Sequence, residues 1–170
     1  MLRICSLFGL AAALVLLAAC QPDAVPAPDA PAGVAAVNQR AADGDTLVIA
    51  GERLRLAAID APELHQTCMD SAGETWACGL WAKERLAALL VGPATCEGAA
   101  RDRYGRRLVH CHVGGQDLGA AMVAAGAARA YLRYGREYAG AETAAREARR
   151  GIWQGPFADP EAVRRRGRRP

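Results

Sequence analysis

The segment between residues 43 and 63 constrains the fold of this chain more strongly than any other part of the sequence. Asp43-Gly44-Asp45 predicts a turn, and apolar-rich runs follow at 46–49 and 53–59. The two runs are joined by Ala50-Gly51-Glu52, and a short connection that contains glycine is typical of a β-hairpin. Pro62 cannot donate a backbone hydrogen bond, so we expect the second strand to end before it.

Acidic side chains gather at one end of this predicted hairpin. Asp45 lies in the turn and Asp60 at the end of a strand, where side chains converge at the rim of a barrel. Two carboxylates held close together repel each other unless a cation joins them. No Cys or His is interleaved with these acids, so the pattern favours a hard ion with oxygen ligands, Ca²⁺ or Mg²⁺. The alternative is that the acids only serve turns, where Asp is common.

Arginine and glutamate complete a pattern suited to phosphodiester chemistry. Arg55 alternates with leucines along its strand and is expected to leave the core face, and Arg106 follows a second turn, Asp102-Arg103-Tyr104-Gly105. Guanidinium forks match phosphate oxygens, and a cation offsets the negative charge that repels hydroxide. Glu63 is placed to take a proton from an attacking water. The alternatives are a salt bridge between Arg55 and Asp60 or Glu63, and a merely solvated Arg106.

The remaining periodicity predicts an α+β protein, mainly a small β barrel, with about three helices. Short antiparallel strands with inserted helices fit a closed barrel better than a parallel sheet. Besides the hairpin, the predicted elements are a strand at 34–40, a helix at 79–90, strands at 94–97 and 107–113, a helix at 117–125, a strand at 127–132 and a helix at 138–150.

The two ends of the chain carry different signals. Residues 1–19 combine a basic start with an apolar run that is too short to span a membrane, which indicates a secretory signal. The run ends Leu17-Ala18-Ala19-Cys20, which resembles the lipobox of bacterial lipoproteins, so Cys20 is the expected lipidation site. An ordinary secreted protein is the alternative. Residues 20–33 form a Pro/Ala-rich tether, 34–157 the folded domain and 158–170 a basic tail.

The formal net charge is only +3 at pH 7, so the whole molecule is not a strong polycation. Lys83 is the lone lysine among many arginines. The position of each arginine is therefore more informative than their number. The arginines at 164–169 are expected to be disordered, either holding phosphates non-specifically or merely solvated.

Four cysteines remain beyond Cys20, and an even number in an exported chain favours disulfides. Four cysteines can pair in three ways, and the favoured way joins Cys68 to Cys78 and Cys96 to Cys111. A hairpin centred between residues 103 and 104 would place Cys96 opposite Cys111 at a separation suitable for a disulfide. Zinc held by cysteines and His110 or His112 is the rival, but no CxxC or HxxxH spacing supports it.

Taken together, these motifs resemble the staphylococcal nuclease (thermonuclease) family. The resemblance rests on Asp43-Gly44-Asp45-Thr46, on the run from Arg55 to Glu63 in the pattern R-L-x-x-I-D-A-P-E, on Asp102-x-Tyr104-Gly105-Arg106 and on Gly151-Ile152-Trp153. These motifs span most of the predicted domain. The resemblance implies a five-stranded OB-fold barrel with three helices and a calcium-dependent nuclease that acts on DNA and RNA with little sequence specificity.

The resemblance also implies roles for individual residues. Asp45, Asp60 and the backbone carbonyl of Ala61 would bind one Ca²⁺. The catalytic group would be Arg55, Glu63 and Arg106, with Glu63 as general base or water-orienting residue. Arg103 and Tyr104 would meet the terminal phosphate side of the substrate, and Tyr131 would line the nucleotide pocket.

The sequence departs from the family pattern at the metal site, at the second turn and in the loop after Glu63, of which the loop concerns substrate binding. Ala61 replaces a hydroxyl residue, Arg103 replaces a lysine, and the loop after Glu63 lacks lysines and carries Cys68. We expect a monomeric nuclease that acts outside the cytoplasm, either anchored to a membrane through Cys20 or secreted. The alternatives are a catalytically silent OB-fold module that binds nucleic acid or protein, and a structural lipoprotein of the cell envelope.

Overall fold

The structure, a computed structural model, describes residues 38–167 of the 170-residue chain. The predicted signal segment, Cys20 and the tether lie outside the described residues. Their boundaries and the lipidation of Cys20 therefore stay predictions. Within residues 38–167, none of the helices is both long enough and apolar enough to cross a membrane.

Ten strands are formed by the described residues. In chain order they are β1 (Gln39–Ala41), β2 (Thr46–Ile49), β3 (Glu52–Leu56), β4 (Ile59–Asp60), β5 (Cys68–Met69), β6 (Thr75–Trp76), β7 (Ala94–Glu97), β8 (Arg107–Val113), β9 (Gln116–Asp117) and β10 (Arg129–Ala130). The main sheet has the order β1-β2-β3-β8-β7, and β9 pairs with β8. Two small antiparallel pairs, β4 with β10 and β5 with β6, complete the strands.

The α+β class is confirmed, but the main sheet is mixed rather than purely antiparallel. Strands β3 and β8 pair in parallel, with Arg55 opposite Leu108. A parallel pair needs a long crossover connection, and here the chain between the two strands includes a helix. The sheet curls into a half-barrel. The start of β2 pairs with the end of β3, and the start of β8 lies beside that end of β3, so these three strand ends and the turn before β2 are on one side.

The described part of the chain contains four α-helices, of which the first two pack against this sheet. They are α1 (Cys78–Leu89), α2 (Leu118–Ala124), α3 (Ala139–Glu147) and α4 (Pro160–Arg166), and a 3-10 turn spans Gly151–Gln154. The first three occupy the predicted positions, and Asp117 caps α2 by accepting a hydrogen bond from the Ala120 amide at 3.0 Å. Helix α4 lies in the predicted basic tail and includes three of the arginines expected to be disordered, so that expectation was wrong for residues 164–166.

The predicted strand at 53–59 is interrupted in the structure. Ala58 has a left-handed backbone with φ of 55°, and this turn separates β3 from β4. Alternation of side chains alone does not reveal such a break, because alanine has no conformational signal for it. The polar loop expected at 65–73 contributes Cys68–Met69 to a small hairpin, and the last predicted strand is reduced to Arg129–Ala130.

A main core and a smaller satellite core hold these elements together. The largest fully buried side chains of the main core are Leu47, Leu56, Ile59, Leu86, Val109, Leu118, Met122 and Val123. Each such aliphatic side chain contributes about 1.5–3 kcal/mol on burial. The satellite core contains Cys68, Cys78 and Ile152, and Trp153 and Phe157 pack against it.

The structure contains both disulfides that the sequence favoured. Cys68 is joined to Cys78 at the start of α1, and Cys96 is joined to Cys111 between β7 and β8. The β-ladder places Cys96 directly opposite Cys111, which is the register that the turn predicted. The predicted polar loop is thereby attached to α1.

Candidate active site

The turn between β1 and β2 presents Asp45 to the site. Asp43 accepts a hydrogen bond from the Asp45 amide at 3.1 Å, which closes a local turn. Gly44 is packed so tightly that a Cβ there would lie 2.7 Å from the Cβ of Ala61 and 2.8 Å from that of Ala82. Asp45 is 7% exposed, and its Oδ2 accepts a hydrogen bond from the Ala61 amide at 3.0 Å. The turn is therefore attached to the segment that carries Asp60.

Arg55 joins the two buried aspartates. Thr46 is the cross-strand neighbour of Arg55, which brings the adjacent Asp45 within reach. Arg55 Nη1 lies 2.7 Å from Asp45 Oδ2, and Nη2 lies 3.2 Å from Asp60 Oδ1. Nη2 also donates to the Ile59 carbonyl at 3.0 Å. The sequence predicted that Arg55 would leave the core face, whereas only 7% of the residue is exposed because the carboxylates cover it.

The electrostatics of Asp45 favour the approach of a cation. Burial raises the pKa of Asp45 to about 7, and the carboxylates of Asp43 and Asp60 act in the same direction. The Arg55 guanidinium and the Ala61 amide counteract this rise without fully offsetting it. A second positive charge beside Asp45 would therefore stabilise its ionised form.

Glu63 lies at the edge of the same site with its side chain 37% exposed. Its amide donates to Gln66 Oε1 at 3.1 Å. Its carbonyl oxygen packs against Gly79 of α1, where a Cβ would lie only 1.8 Å away. These contacts hold the backbone of Glu63, so that its carboxylate extends toward the cavity.

Arg106 lies on the same side of the barrel as the acids. Asp102 orients it through Oδ2, which is 2.7 Å from Nη2 and 2.8 Å from Nε. Hydrogen bonds from the Tyr104 and Arg106 amides and from the Arg106 side chain lower the pKa of Asp102, although burial opposes this. Nη1 of Arg106 donates to Thr46 Oγ1 at 3.3 Å, next to Asp45. The two predicted arginines and the two predicted aspartates are therefore brought together.

Two adjoining cavities open at this place. One, of ≈ 540 Å³, is lined by the acids Asp43, Asp45 and Glu63 and by Ala61. The other, of ≈ 270 Å³, is lined by Asp60 and by tyrosines. The residues that line both cavities are Arg55, Tyr104, Arg106 and Arg164. An elongated anion could therefore place one part in each cavity.

The predicted substrate-binding residues line the smaller cavity. Arg103 donates to the Tyr104 hydroxyl at 2.7 Å, and its guanidinium lies 5.0 Å from the centre of the Tyr104 ring. Tyr131 contacts Tyr134, with ring centres 5.2 Å apart. The three residues predicted from the sequence, Arg103, Tyr104 and Tyr131, thus share one cavity with Tyr134, which sequence reasoning missed.

Sequence reasoning also missed Arg164, which was assigned to the basic tail. Arg164 Nη2 lies 2.8 Å from Asp60 Oδ1, and Nε lies 2.6 Å from Glu63 Oε1. A local signal was available: Asp159-Pro160 is a favoured helix start, with Asp as cap and Pro at the first helical position. Recognising this start would have predicted a helix instead of a tail.

The oxygen atoms available at this site are of the types that bind a hard divalent cation. Asp45 and Asp60 provide carboxylate oxygens and Ala61 a backbone carbonyl, which are the ligand types that Ca²⁺ takes. Within residues 38–167, no group of three or more His, Cys, Asp and Glu side chains is placed to hold a metal ion. A cation here would therefore rely on two carboxylates, a carbonyl and water, and the raised pKa of Asp45 is consistent with that need.

Comparison with known proteins identifies relatives for most of this domain. The family described as staphylococcal nuclease homologue matches residues 53–155. The match includes Arg55, Asp60, Glu63 and Arg106 but begins after Asp45 and ends before Arg164. The chain is also similar to the succinoglycan biosynthesis protein ExoI of Rhizobium meliloti (strain 1021), with 40% identity over 124 residues. This similarity covers 70% of the chain and 63% of ExoI.

Proposed function

Because this chain belongs to the family of staphylococcal nuclease homologues, we propose that it is a calcium-dependent nuclease that hydrolyses the phosphodiester bonds of DNA and RNA. The observation that carries this proposal is the convergence of Asp45, Asp60, Glu63 and Arg106 around Arg55 at the junction of two cavities. The acids suit a hard cation, and the arginines suit a phosphate.

In this proposal Asp45, Asp60 and the carbonyl of Ala61 hold one Ca²⁺. When bound, the ion would supply positive charge that polarises a phosphoryl oxygen. Arg55 keeps the two aspartates together in the ion's absence, with ion pairs at 2.7 and 3.2 Å. This arrangement preorganises the carboxylates and limits their mutual repulsion.

The protein side chains would bind the phosphate and activate the attacking water. Arg106 lines both cavities, and a phosphate at their junction would meet its guanidinium; Arg55 lies beside it. Glu63 would take the proton of the attacking water, or would orient that water. No described residue between 38 and 167 donates a hydrogen bond to Glu63 Oε2, which leaves this oxygen for a water molecule.

The tyrosine-lined cavity would hold a nucleotide. Tyr131 would stack on a base, which is tolerant of base identity because every base has a flat face. Arg103 and Tyr104 would face the terminal phosphate side of the substrate. We therefore expect both DNA and RNA to be cleaved with little sequence specificity.

The two disulfides support an exported protein, because such bonds form and persist in oxidising compartments. We propose that the protein acts outside the cytoplasm as a monomer, with lipid on Cys20 as its membrane anchor. Intact-mass analysis of the protein from a membrane fraction tests the lipid. A mature, secreted species without added acyl mass would contradict the anchor but not the nuclease.

Digestion of plasmid DNA and of an RNA transcript tests the activity, with Ca²⁺ in one arm and chelator in the other. We expect cleavage only with Ca²⁺. Arg106→Ala and Glu63→Gln should each lower the rate by about 10²–10³-fold, as for the loss of one transition-state donor. Arg85→Ala and Glu84→Gln, at exposed positions of α1, are matched controls that should cleave at the wild-type rate. Cleavage by Glu63→Gln at the wild-type rate would contradict its role.

The second candidate is a catalytically silent module that binds nucleic acid or protein. The name of ExoI refers to the biosynthesis of succinoglycan, which gives a specific reason to keep this alternative. DNA that is retained on a gel but stays uncut in the presence of Ca²⁺ would favour it. If the DNA is neither retained nor cleaved, a purely structural role in the envelope would remain.

A further inference from the structure

The C-terminal helix α4 is fastened to the rim of the site at several points. Asp159 caps the helix by accepting from the Ala162 amide at 3.1 Å and forms an ion pair with Arg129. Arg129 is the cross-strand neighbour of Asp60. Gln66 donates from Nε2 to the Ala158 carbonyl at 2.7 Å, and Pro160 is buried. The position of α4 is therefore set by the same segments that carry Asp60 and Glu63.

This attachment places Arg164 between two acids of the site. Its Nη2 lies 2.8 Å from Asp60 Oδ1 and its Nε lies 2.6 Å from Glu63 Oε1. An arginine side chain keeps its charge in proteins, so Arg164 brings a positive charge to these two acids, with 23% of its side chain exposed.

Arg164 differs from Arg55 in its spare hydrogen-bonding capacity. Both Nη atoms of Arg55 are used by carboxylates and backbone carbonyls, and its side chain is only 9% exposed. For Arg164, the structure describes no acceptor for Nη1 among residues 38–167. The guanidinium also borders both cavities. Arg164 therefore combines two N–H groups at Nη1 that have no acceptor among residues 38–167 with a position that borders both cavities.

We propose that Arg164 is a third phosphate-binding arginine of this site, which also positions the carboxylate of Glu63 through Nε. The proposal rests on the nuclease function proposed above. A phosphodiester at the junction would accept hydrogen bonds from Nη1, and an arginine fork suits this geometry better than a point charge. Arg55 then mainly holds the aspartates, while Arg106 and Arg164, which both line the two cavities, bind the phosphate.

The same contacts allow an opposite reading, in which Arg164 blocks the site. A guanidinium paired with Asp60 and Glu63 would then compete with the metal ion and restrain the base. Under that reading, removal of Arg164 increases the rate of cleavage. Both readings use the contacts with Asp60 and Glu63, but only substrate binding also uses the two N–H groups of Nη1, which have no acceptor among residues 38–167.

The experiment compares the full chain with Arg164→Ala, Arg164→Lys and, as the matched control, Arg166→Ala. Arg166 lies on the same helix and is exposed, so its loss changes the charge without touching the site. Cleavage of a single-stranded oligonucleotide with Ca²⁺ should fall by about 10²–10³-fold in kcat/KM for Arg164→Ala. Arg164→Lys should recover only part of the rate, and Arg166→Ala should stay within about twofold of wild type.

Binding in chelator gives a readout that does not require catalysis. By fluorescence anisotropy, Arg164→Ala should bind the oligonucleotide about 10- to 100-fold more weakly than wild type, as for a lost hydrogen bond to a charged group. An oligonucleotide with neutral methylphosphonate linkages should bind both proteins equally, because it lacks the anionic oxygen. Thermal melting of each variant checks that the fold is intact.

Each outcome separates this inference from the nuclease proposal. Faster cleavage by Arg164→Ala would overturn phosphate binding in favour of a blocking role. Equal cleavage and equal binding by wild type and Arg164→Ala would overturn the inference while the nuclease function stands. A wild type that never cleaves would overturn the nuclease function, and the binding comparison would still decide whether Arg164 contacts phosphate.

Discussion

Replacement of Arg55 by alanine should destabilise the fold as well as impair catalysis. The substitution leaves Asp45 and Asp60 without the guanidinium that lies 2.7 and 3.2 Å from them, at positions only 7% and 3% exposed. The catalytic role that the sequence assigns to Arg55 concerns activity alone. Its burial between the two acids gives it a structural role as well.

The magnitude follows from the contacts that are lost. Two hydrogen bonds to charged groups contribute about 1.5–3 kcal/mol each, or roughly 3–6 kcal/mol together. Breaking a buried ion pair by removing one partner costs about 3–5 kcal/mol, which agrees with that sum. A domain of this size is stable by about 5–15 kcal/mol, so the variant should remain folded at 25 °C with a much lower denaturation midpoint.

Low pH and bound Ca²⁺ should each reduce the loss of stability in Arg55→Ala. Because burial raises the pKa of Asp45 to about 7 in the folded protein, above about 3.9 when unfolded, the folded state binds more protons between these values. Protonation of Asp45 therefore stabilises the metal-free folded protein at low pH, and this contribution is lost as pH rises through about 7. We expect the Arg55→Ala penalty to be smaller at about pH 5 than at about pH 8. Ca²⁺ should also restore part of the stability, by binding the folded state.

Urea denaturation followed by tryptophan fluorescence measures these differences, with and without Ca²⁺ at both pH values. Arg85→Ala removes an exposed arginine of α1 and should change the unfolding free energy by less than about 0.5 kcal/mol. An Arg55→Ala variant within about 1 kcal/mol of wild type at the higher pH, without metal, would refute the claim that this arginine offsets two buried carboxylates.

Three further predictions concern the surroundings of the site. Arg129 holds the pKa of the Asp159 carboxyl below its usual range although burial opposes this, so Asp159→Asn, which keeps the helix cap, should lower the melting temperature at neutral pH. Because the pKa of Asp159 is lower in the folded state than in the unfolded state, the difference in melting temperature between wild type and variant should reach its full size above about pH 4. It should disappear as pH falls through the folded pKa, and a difference that persists at about pH 2 would contradict this reasoning. Paired replacement of Cys96 and Cys111 by alanine should reduce the unfolding free energy by about 3 kcal/mol for a 15-residue separation, and added reductant should then have no further effect on this loop. Gly44→Ala should destabilise the protein by about 1–3 kcal/mol, since its Cβ would overlap two alanine methyl groups, and a wild-type melting curve would show that the turn can shift freely.

Much of the fold was predictable because the deciding signals are local. The turn at Asp43-Gly44-Asp45, the first hairpin, α1 and the cap of α2 at Asp117 follow from turn residues, alternation and capping, each of which acts within a few positions. The Cys96–Cys111 pairing likewise follows from the register of one turn. The parallel pairing of β3 with β8 was missed, because it depends on a long crossover that no local pattern encodes.

The identity of the acids and arginines around Arg55 is determined by the sequence itself, since their types and spacing already indicate a hard cation and a phosphate. The tertiary structure alone decided how these groups share charge. It buried Arg55 between Asp45 and Asp60 and carried Arg164, which is 104 residues beyond Asp60 in the chain, back to the same carboxylate. Spacing reveals what neighbouring side chains can do, but long-range packing decides which distant charges meet, because solvation and partner distance are properties of the folded chain.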